Sequence, residues 1–326
     1  MNRPKSCLFV KQAVSEDAKR LFANTGVRIT TVGTRHLGSA IGSEEFVRDF
    51  VQSKVEKWVG EMELLSRIAQ TGPHAAFSAY THGLVSRWTY TCRSLPNVST
   101  LLEPVEDAVR TRLLPALLGR SALNDDERDL LALPARFVGM GIVKPTSLGA
   151  ENESWKAVCR PLIDLIINQE RHLGDAPVKQ KEAKRKIKHK KSERLAEEAK
   201  AIHERMPHDY QRLIELACEK GASTWLTSLP LSAYGLSMHK TAFRDAICLR
   251  YNWRPNHLST TCACGEQFTT SHALSCPTGR FPTIQHNELR DIWSDLLSEV
   301  CSNVSKEPLL QPLTGENFGS RSTQVG

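Results

Sequence analysis

The sequence predicts a mainly α protein: a helical bundle preceded by a small β-rich stretch and followed by a basic helical linker and a small zinc knuckle. Three observations predict it. Apolar residues recur with helical period from Phe46 to Ile68. Lysines and arginines crowd the segment from Lys179 to Lys200. Four potential metal ligands, Cys262, Cys264, His272 and Cys276, stand at spacing C-x-C-x7-H-x3-C.

Residues 1–42 read as β and turn. Ser6 to Val10 is a short apolar run and Val27 to Val32 is β-branched, with a short helix from Ser15 to Phe22 between them. His36-Leu37-Gly38 leads through Gly42 into the first long helix. A chain that starts almost directly in a strand implies missing upstream sequence.

Residues 43–150 read as the bundle. Ser43 is an N-cap, with Glu44 and Glu45 favouring the first-turn dipole. The helix carries Phe46, Phe50, Val51, Val55, Trp58, Met62 and Leu65 on its apolar side and ends at Thr71-Gly72-Pro73. A second helix carries Phe77, Tyr80, Leu84 and Trp88, with Arg87 and Arg93 near its end, and a third runs from Leu101 to Leu118. Short connections make a three-helix bundle whose aromatics are core rather than a base-stacking platform. Asn124-Asp125-Asp126 raises the question of a paired-carboxylate magnesium site. Glu127 and the apolar run Leu130-Leu131-Ala132-Leu133 answer it as a capped helix start. Gly139-Met140-Gly141 is a turn, too short for a phosphate loop and without a following Lys-Ser/Thr.

Residues 151–206 form a helical connector, with a helix over 155–167 and then the basic run. Ten Lys or Arg face four Glu between Lys179 and Lys200, against a net charge of +7 for the whole chain. Two readings stand: a solvated helix or linker, and a phosphate-contacting arm or nuclear targeting signal built on Lys184, Arg185, Lys186, Lys188, Lys190 and Lys191. Residues 207–256 are a further helical segment, with one helix from His208 to Lys220 stopped by Gly221 and another ending in Arg250, Tyr251, Trp253 and Arg254. Its basic and aromatic end is either a nucleic-acid contact or an ordinary helix C-terminus satisfied by cations.

Residues 257–290 hold the knuckle. Thiolate and imidazole are the donors that tetrahedral zinc takes. His272 and Cys276, four apart, share one face of a helical turn. Gly265 gives the backbone the freedom a knuckle needs. The single residue between Cys262 and Cys264 is tighter than the usual spacing, which leaves unrelated loop residues, or His286 as a substitute ligand, as the alternatives. Four protein ligands leave no open position for a reactive water, so the site is structural. After Cys276 another helix runs through Leu289, Ile292, Trp293, Leu296 and Leu297, and within residues 291–326 the chain then turns to strand and loop.

The composition excludes several classes. Of 326 residues 40 % are hydrophobic and 24 % charged, an ordinary globular balance. There is no apolar run long enough for a membrane helix, and the N-terminus lacks a signal-peptide core. Nine scattered cysteines fit a reducing compartment, nucleus or cytoplasm, and not a secreted protein.

Several stretches together resemble LINE-type (non-LTR) retrotransposon reverse transcriptases. His36 to Gly42 resembles the segment after the catalytic palm. Pro73-His74-Ala75-Ala76-Phe77 through Trp88-Thr89-Tyr90 and Arg93, and Leu131 to Arg136 with Gly139-Met140-Gly141-Ile142, resemble the thumb. Trp225-Leu226, Leu229-Pro230-Leu231, Phe243 and Leu249-Arg250 resemble the lead into a Cys-Cys-His-Cys knuckle, and His286-Asn287 lies beyond it. Glu307-Pro308-Leu309 and Leu313-Thr314-Gly315-Glu316 resemble the lead-in to a restriction-enzyme-like endonuclease.

The resemblance implies a palm-end remnant, a thumb-like bundle and the start of a truncated endonuclease-like region. Asn2 and Lys5 resemble the family's Asn-x-x-Lys, so Lys5 is a remnant of a group that assists the leaving pyrophosphate. The polymerase carboxylates would lie upstream of Asn2, so no catalytic residue is expected here, and Mg2+ belongs only to a full-length parent. Met140, Val138 and Gln285 depart from the family's leucine, glycine and basic residue. The expected function is RNA or DNA binding through Arg87, Arg93, the basic run, Arg250 and Arg254, with structural Zn2+. The expected partners are the missing polymerase portion or host nucleic-acid machinery, with no membrane. The alternative is a helical protein-interaction scaffold with a basic targeting segment.

Overall fold

The computed structural model describes residues 6–306 apart from 122, 171, 256, 257 and 279. Asn2, Lys5 and the motifs beyond residue 306 lie outside the described residues. The chain is mainly helical with two small sheets, and it divides into two compact units, Met1–Pro255 and Asn256–Gly326.

The first unit opens with β1 (Cys7–Phe9), α1 (Ser15–Leu21) and β2 (Arg28–Thr30). The two strands pair in parallel with Leu8 opposite Ile29, which the helical crossover permits. Next comes an antiparallel hairpin of β3 (Gly33–His36) and β4 (Ser39–Gly42). It falls within the stretch expected to be β and turn, and leads into the first long helix as expected. Its turn residues, Leu37 and Gly38, both have positive φ, at 47° and 78°. That is the geometry of a two-residue hairpin loop, and a leucine at its first position hides the signal.

α2 (Glu44–Thr71) is the central helix, 28 residues or about 42 Å long. The Ser43 hydroxyl accepts from the Phe46 N–H at 3.2 Å, and Phe50, Val51, Val55, Trp58, Met62, Leu65 and Ala69 are buried along one side. The second expected helix is α3 (Pro73–Ala79), a π-helical turn (Tyr80–Leu84) and α4 (Val85–Ser94). The third is α5 (Glu103–Ala108), a second π turn (Val109–Leu113) and α6 (Leu114–Leu118). Each π turn shifts register so that Tyr80, Val109 and Leu113 are buried.

α7 (Asp125–Ala132) begins with a capping box. The Asn124 side chain accepts from the Glu127 N–H, and the Glu127 carboxylate accepts from the Asn124 N–H. Arg128, wholly buried, donates to both oxygens of Glu106 at 2.8 and 2.7 Å and to the Ile142 carbonyl at 2.8 Å. The chain then folds back on α7, with the Met140 and Ile142 N–H groups both donating to the Leu131 carbonyl. Gly139 sits so close that a Cβ would lie 1.8 Å from the Leu133 oxygen. Val138 is held in the left-handed region at φ 70° and is buried.

α8 (Glu151–Ile167) and α9 (Ala176–Arg205) follow. α8 starts four residues before the expected Trp155, because Glu151 and Glu153 supply a favourable first turn. α9 is one continuous helix of 30 residues whose tail puts Ala199 and Ile202 into the core. α10 (His208–Cys218) stops two residues before the expected Lys220, and α11 (Thr224–Thr227) and α12 (Lys240–Arg250) complete the unit. A single core runs from Ala40 to Trp253, so Leu226, Phe243, Ile247 and Tyr251 pack with the bundle. The second unit contains α13 (Thr270–Ser275) and α14 (Phe281–Ser298).

Candidate metal centre and nucleic-acid interface

The knuckle is built by two local structures. Thr261 bridges Gln267, the Cys262 N–H donates to the Glu266 carbonyl at 2.8 Å, and the Gly265 N–H returns to the Cys262 carbonyl at 2.9 Å. This tight turn carries Cys262 and Cys264. α13 carries the other two ligands: the Thr269 hydroxyl accepts from the His272 N–H, and the Cys276 N–H donates to the His272 carbonyl. The helical turn expected from their four-residue spacing is present.

The four donor atoms all lie within 4.8 Å of one another, a group that could hold a metal ion. Cys262 Sγ and Cys276 Sγ are 3.7 Å apart, and Cys264 Sγ is 3.1 Å from His272 Nε2. The sulfur–sulfur distance matches a tetrahedron edge of about 3.8 Å for metal–sulfur bonds of about 2.3 Å. It is far longer than a disulfide bond, and all four donors converge despite the one-residue gap between Cys262 and Cys264. His286 lies outside this group. The Glu266 backbone favours the Cys264 thiolate, but slight desolvation and the Cys262 and Cys276 thiols outweigh it, and the pKa is raised. A central cation reverses that balance. Among the described residues of this unit, only Cys262, Cys276 and Ser294 are buried, so two of the four ligands stand where a hydrophobic core would be.

The expected phosphate contacts fall into distinct settings. Lys184, Arg185, Lys186, Lys188, Lys190 and Lys191 are all exposed on α9. Gln180 donates to the Val158 carbonyl and Lys191 pairs with Glu151 at 3.0 Å, which fixes the side of α9 that faces α8. Lys186 pairs with Glu182 along the helix. Lys181, Arg185 and Lys188, at i, i+4 and i+7, share one exposed flank of α9 beside the side that faces α8, and make no ion pair among the described residues. Lys181 belongs to the basic run but not to the residues singled out from sequence. Its place beside Arg185 and Lys188 follows from the helical spacing of a continuous α9.

Arg87 pairs with Glu61 at 2.6 Å. Arg93 pairs with Glu151 at 2.9 Å and lies over the Trp155 ring. Burial raises the Glu151 pKa, but Lys191 and Arg93 overrule it and hold the carboxyl below its ordinary value. Arg250 donates to the Val138 and Ala135 carbonyls at 3.2 and 3.0 Å, so its guanidinium clamps the turn before Gly139. Tyr251 and Trp253 are buried with ring centroids 4.7 Å apart and planes tilted by 36°, and Arg120 covers Trp253. These rings are core. Arg254 is exposed beyond them.

A second group of cations was not visible in the sequence. Burial first, then Arg35 and Lys57, lower the Lys54 pKa, and Lys54 and Arg35 both lie over the Phe50 ring. The hairpin β3–β4 brings Arg35 to α2, a pairing that linear spacing does not encode. No helix of the described residues is long and apolar enough to cross a membrane. No family model, curated protein or solved structure matches this chain.

Proposed function

We propose that the chain is a nucleic-acid-binding part of a LINE-type reverse transcriptase, with Zn2+ held by Cys262, Cys264, His272 and Cys276 as a structural ion. The donor set of three thiolates and one imidazole supports zinc over magnesium or calcium, which take oxygen ligands. With four protein donors the ion supplies folding energy and orientation. The family resemblance assigns DNA synthesis and strand nicking, both Mg2+-dependent, to residues of a larger parent.

The observation that carries the binding function is α9. Its basic run concentrates an excess of six positive charges on an exposed helix. Lysine and arginine on such a rod displace condensed counterions from phosphate, giving salt-dependent and largely sequence-independent affinity. Lys54, Arg35 and Lys57 add a second positive patch in the same unit.

Titrating a structured RNA and a single-stranded DNA against salt tests this. Micromolar binding with a steep salt slope is expected, lost when Lys184, Arg185, Lys186, Lys188, Lys190 and Lys191 are changed to Gln. Absence of binding at low salt refutes it. Primer extension by this chain alone would refute the assignment of synthesis to a parent. One zinc per chain by metal analysis is expected, and its absence would overturn the knuckle.

A further inference from the structure

α14 is turned inside out. Leu289, Ile292, Trp293, Leu296 and Leu297, with Val300 just beyond, recur at helical spacing and are all exposed, Trp293 at 63 %. The packed side is polar instead: Ser294 is buried, and Arg290 and Asp291 are half-buried. A stripe this long, facing outward on a unit with almost no core of its own, marks an interaction surface.

Charge beside the stripe selects the occupant. Glu288, Asp295 and Glu299 fall within about 40° of one another on a helix of 3.6 residues per turn, along the Ile292 edge. All three are exposed and make no ion pair among the described residues. The opposite edge offers Arg290 and Ser294. This acidic row repels phosphate, so the face is not a nucleic-acid contact. An antiparallel second copy would set acidic row against acidic row, and a parallel one would set three carboxylates against a single arginine.

We propose that α14 docks a basic amphipathic helix of a partner protein. The leucines, Ile292 and Trp293 seat its apolar side, and Glu288, Asp295 and Glu299 pair with its lysines or arginines. This is the helix-on-helix mode in which anchors at i, i+3, i+4 and i+7 give affinity and flanking charges give specificity. It is independent of the nucleic-acid reading, which rests on α9.

The test uses the full zinc-loaded chain and a fluorescent amphipathic peptide of leucine and lysine. The peptide is expected to bind saturably. Glu288→Lys, Asp295→Lys and Glu299→Lys together weaken binding by at least about tenfold, as loss of several charge pairs requires. Trp293→Ala with Leu296→Ala does the same, while neutralising the α9 cations changes nothing. All these side chains are exposed, and circular dichroism with metal content confirms the fold of each variant. The proposal is overturned if the peptide does not bind, if the triple Lys variant binds it as well as the parent, or if sedimentation shows that the stripe mediates self-association.

Discussion

Arg128 is the residue on which the bundle's polar interior depends. Its guanidinium satisfies both oxygens of Glu106 and the Ile142 carbonyl from a wholly buried position. Arg128→Ala strands the Glu106 carboxylate, and a loss of about 3–5 kcal/mol in urea unfolding is expected. Arg128→Lys, lacking the fork, should recover only part of it. Two histidines set the acid limit. Burial lowers the pKa of His74 and His203, with the Ser228 and Phe137 backbones opposing weakly. Nε2 of each finds no hydrogen-bond partner among the described residues. The unfolded chain therefore takes up protons first, so stability falls as pH drops below about 6.5. A lower urea midpoint at about pH 5.5 than at about pH 7.5 is expected, and His74→Gln with His203→Gln should flatten the difference. At this scale the sequence disclosed caps but not clamps. The Asn124 box was legible because its partners are three residues apart. Arg250 on Val138 and Arg128 on Glu106 join residues distant in the chain, and only packing brings them together. Gly139, crowded by the Leu133 carbonyl, looked like an ordinary turn glycine.

Among the elements, α9 separates binding from stability. Its cations lie outside the core, which it enters through Ala199 and Ile202. Neutralising the six lysines and arginines should leave the melting temperature almost unchanged, because the Lys191–Glu151 pair is a partly exposed one worth under about 1 kcal/mol. Binding responds differently. One phosphate backbone meets the exposed flank of Lys181, Arg185 and Lys188, so log affinity against log salt should fall with a slope near −2.7, about −0.9 per phosphate on duplex. A slope twice as steep would mean that both sides of the helix engage. The basic run was read as helix or linker, and its lack of an apolar stripe left that choice open. The anchors that settle it, Gln180 on Val158 and Lys191 on Glu151, come from α8. The π turns within the second and third helices were invisible for a related reason. One extra residue per turn leaves the apolar spacing close to helical.

For the whole molecule, the two units stand on different kinds of interior. The first has its own core from Ala40 to Trp253, and residues 1–255 alone should unfold cooperatively in urea. The knuckle was the most legible site in the chain because its four ligands lie within fifteen residues. The scarcity of other buried groups around them could not be read from a helix that looks amphipathic. That scarcity makes the second unit an equilibrium partner of its ion. Binding to the folded form alone stabilises in proportion to the logarithm of free metal over Kd. Each tenfold fall in free metal should therefore remove about 1.4 kcal/mol from the knuckle and nothing from the bundle. Limited proteolysis across a buffered metal series checks this. Cleavage within 258–306 should accelerate stepwise as free metal falls, while the fragment holding the bundle persists at constant yield, so that metal supply sets the lifetime of one unit of the chain and not the other.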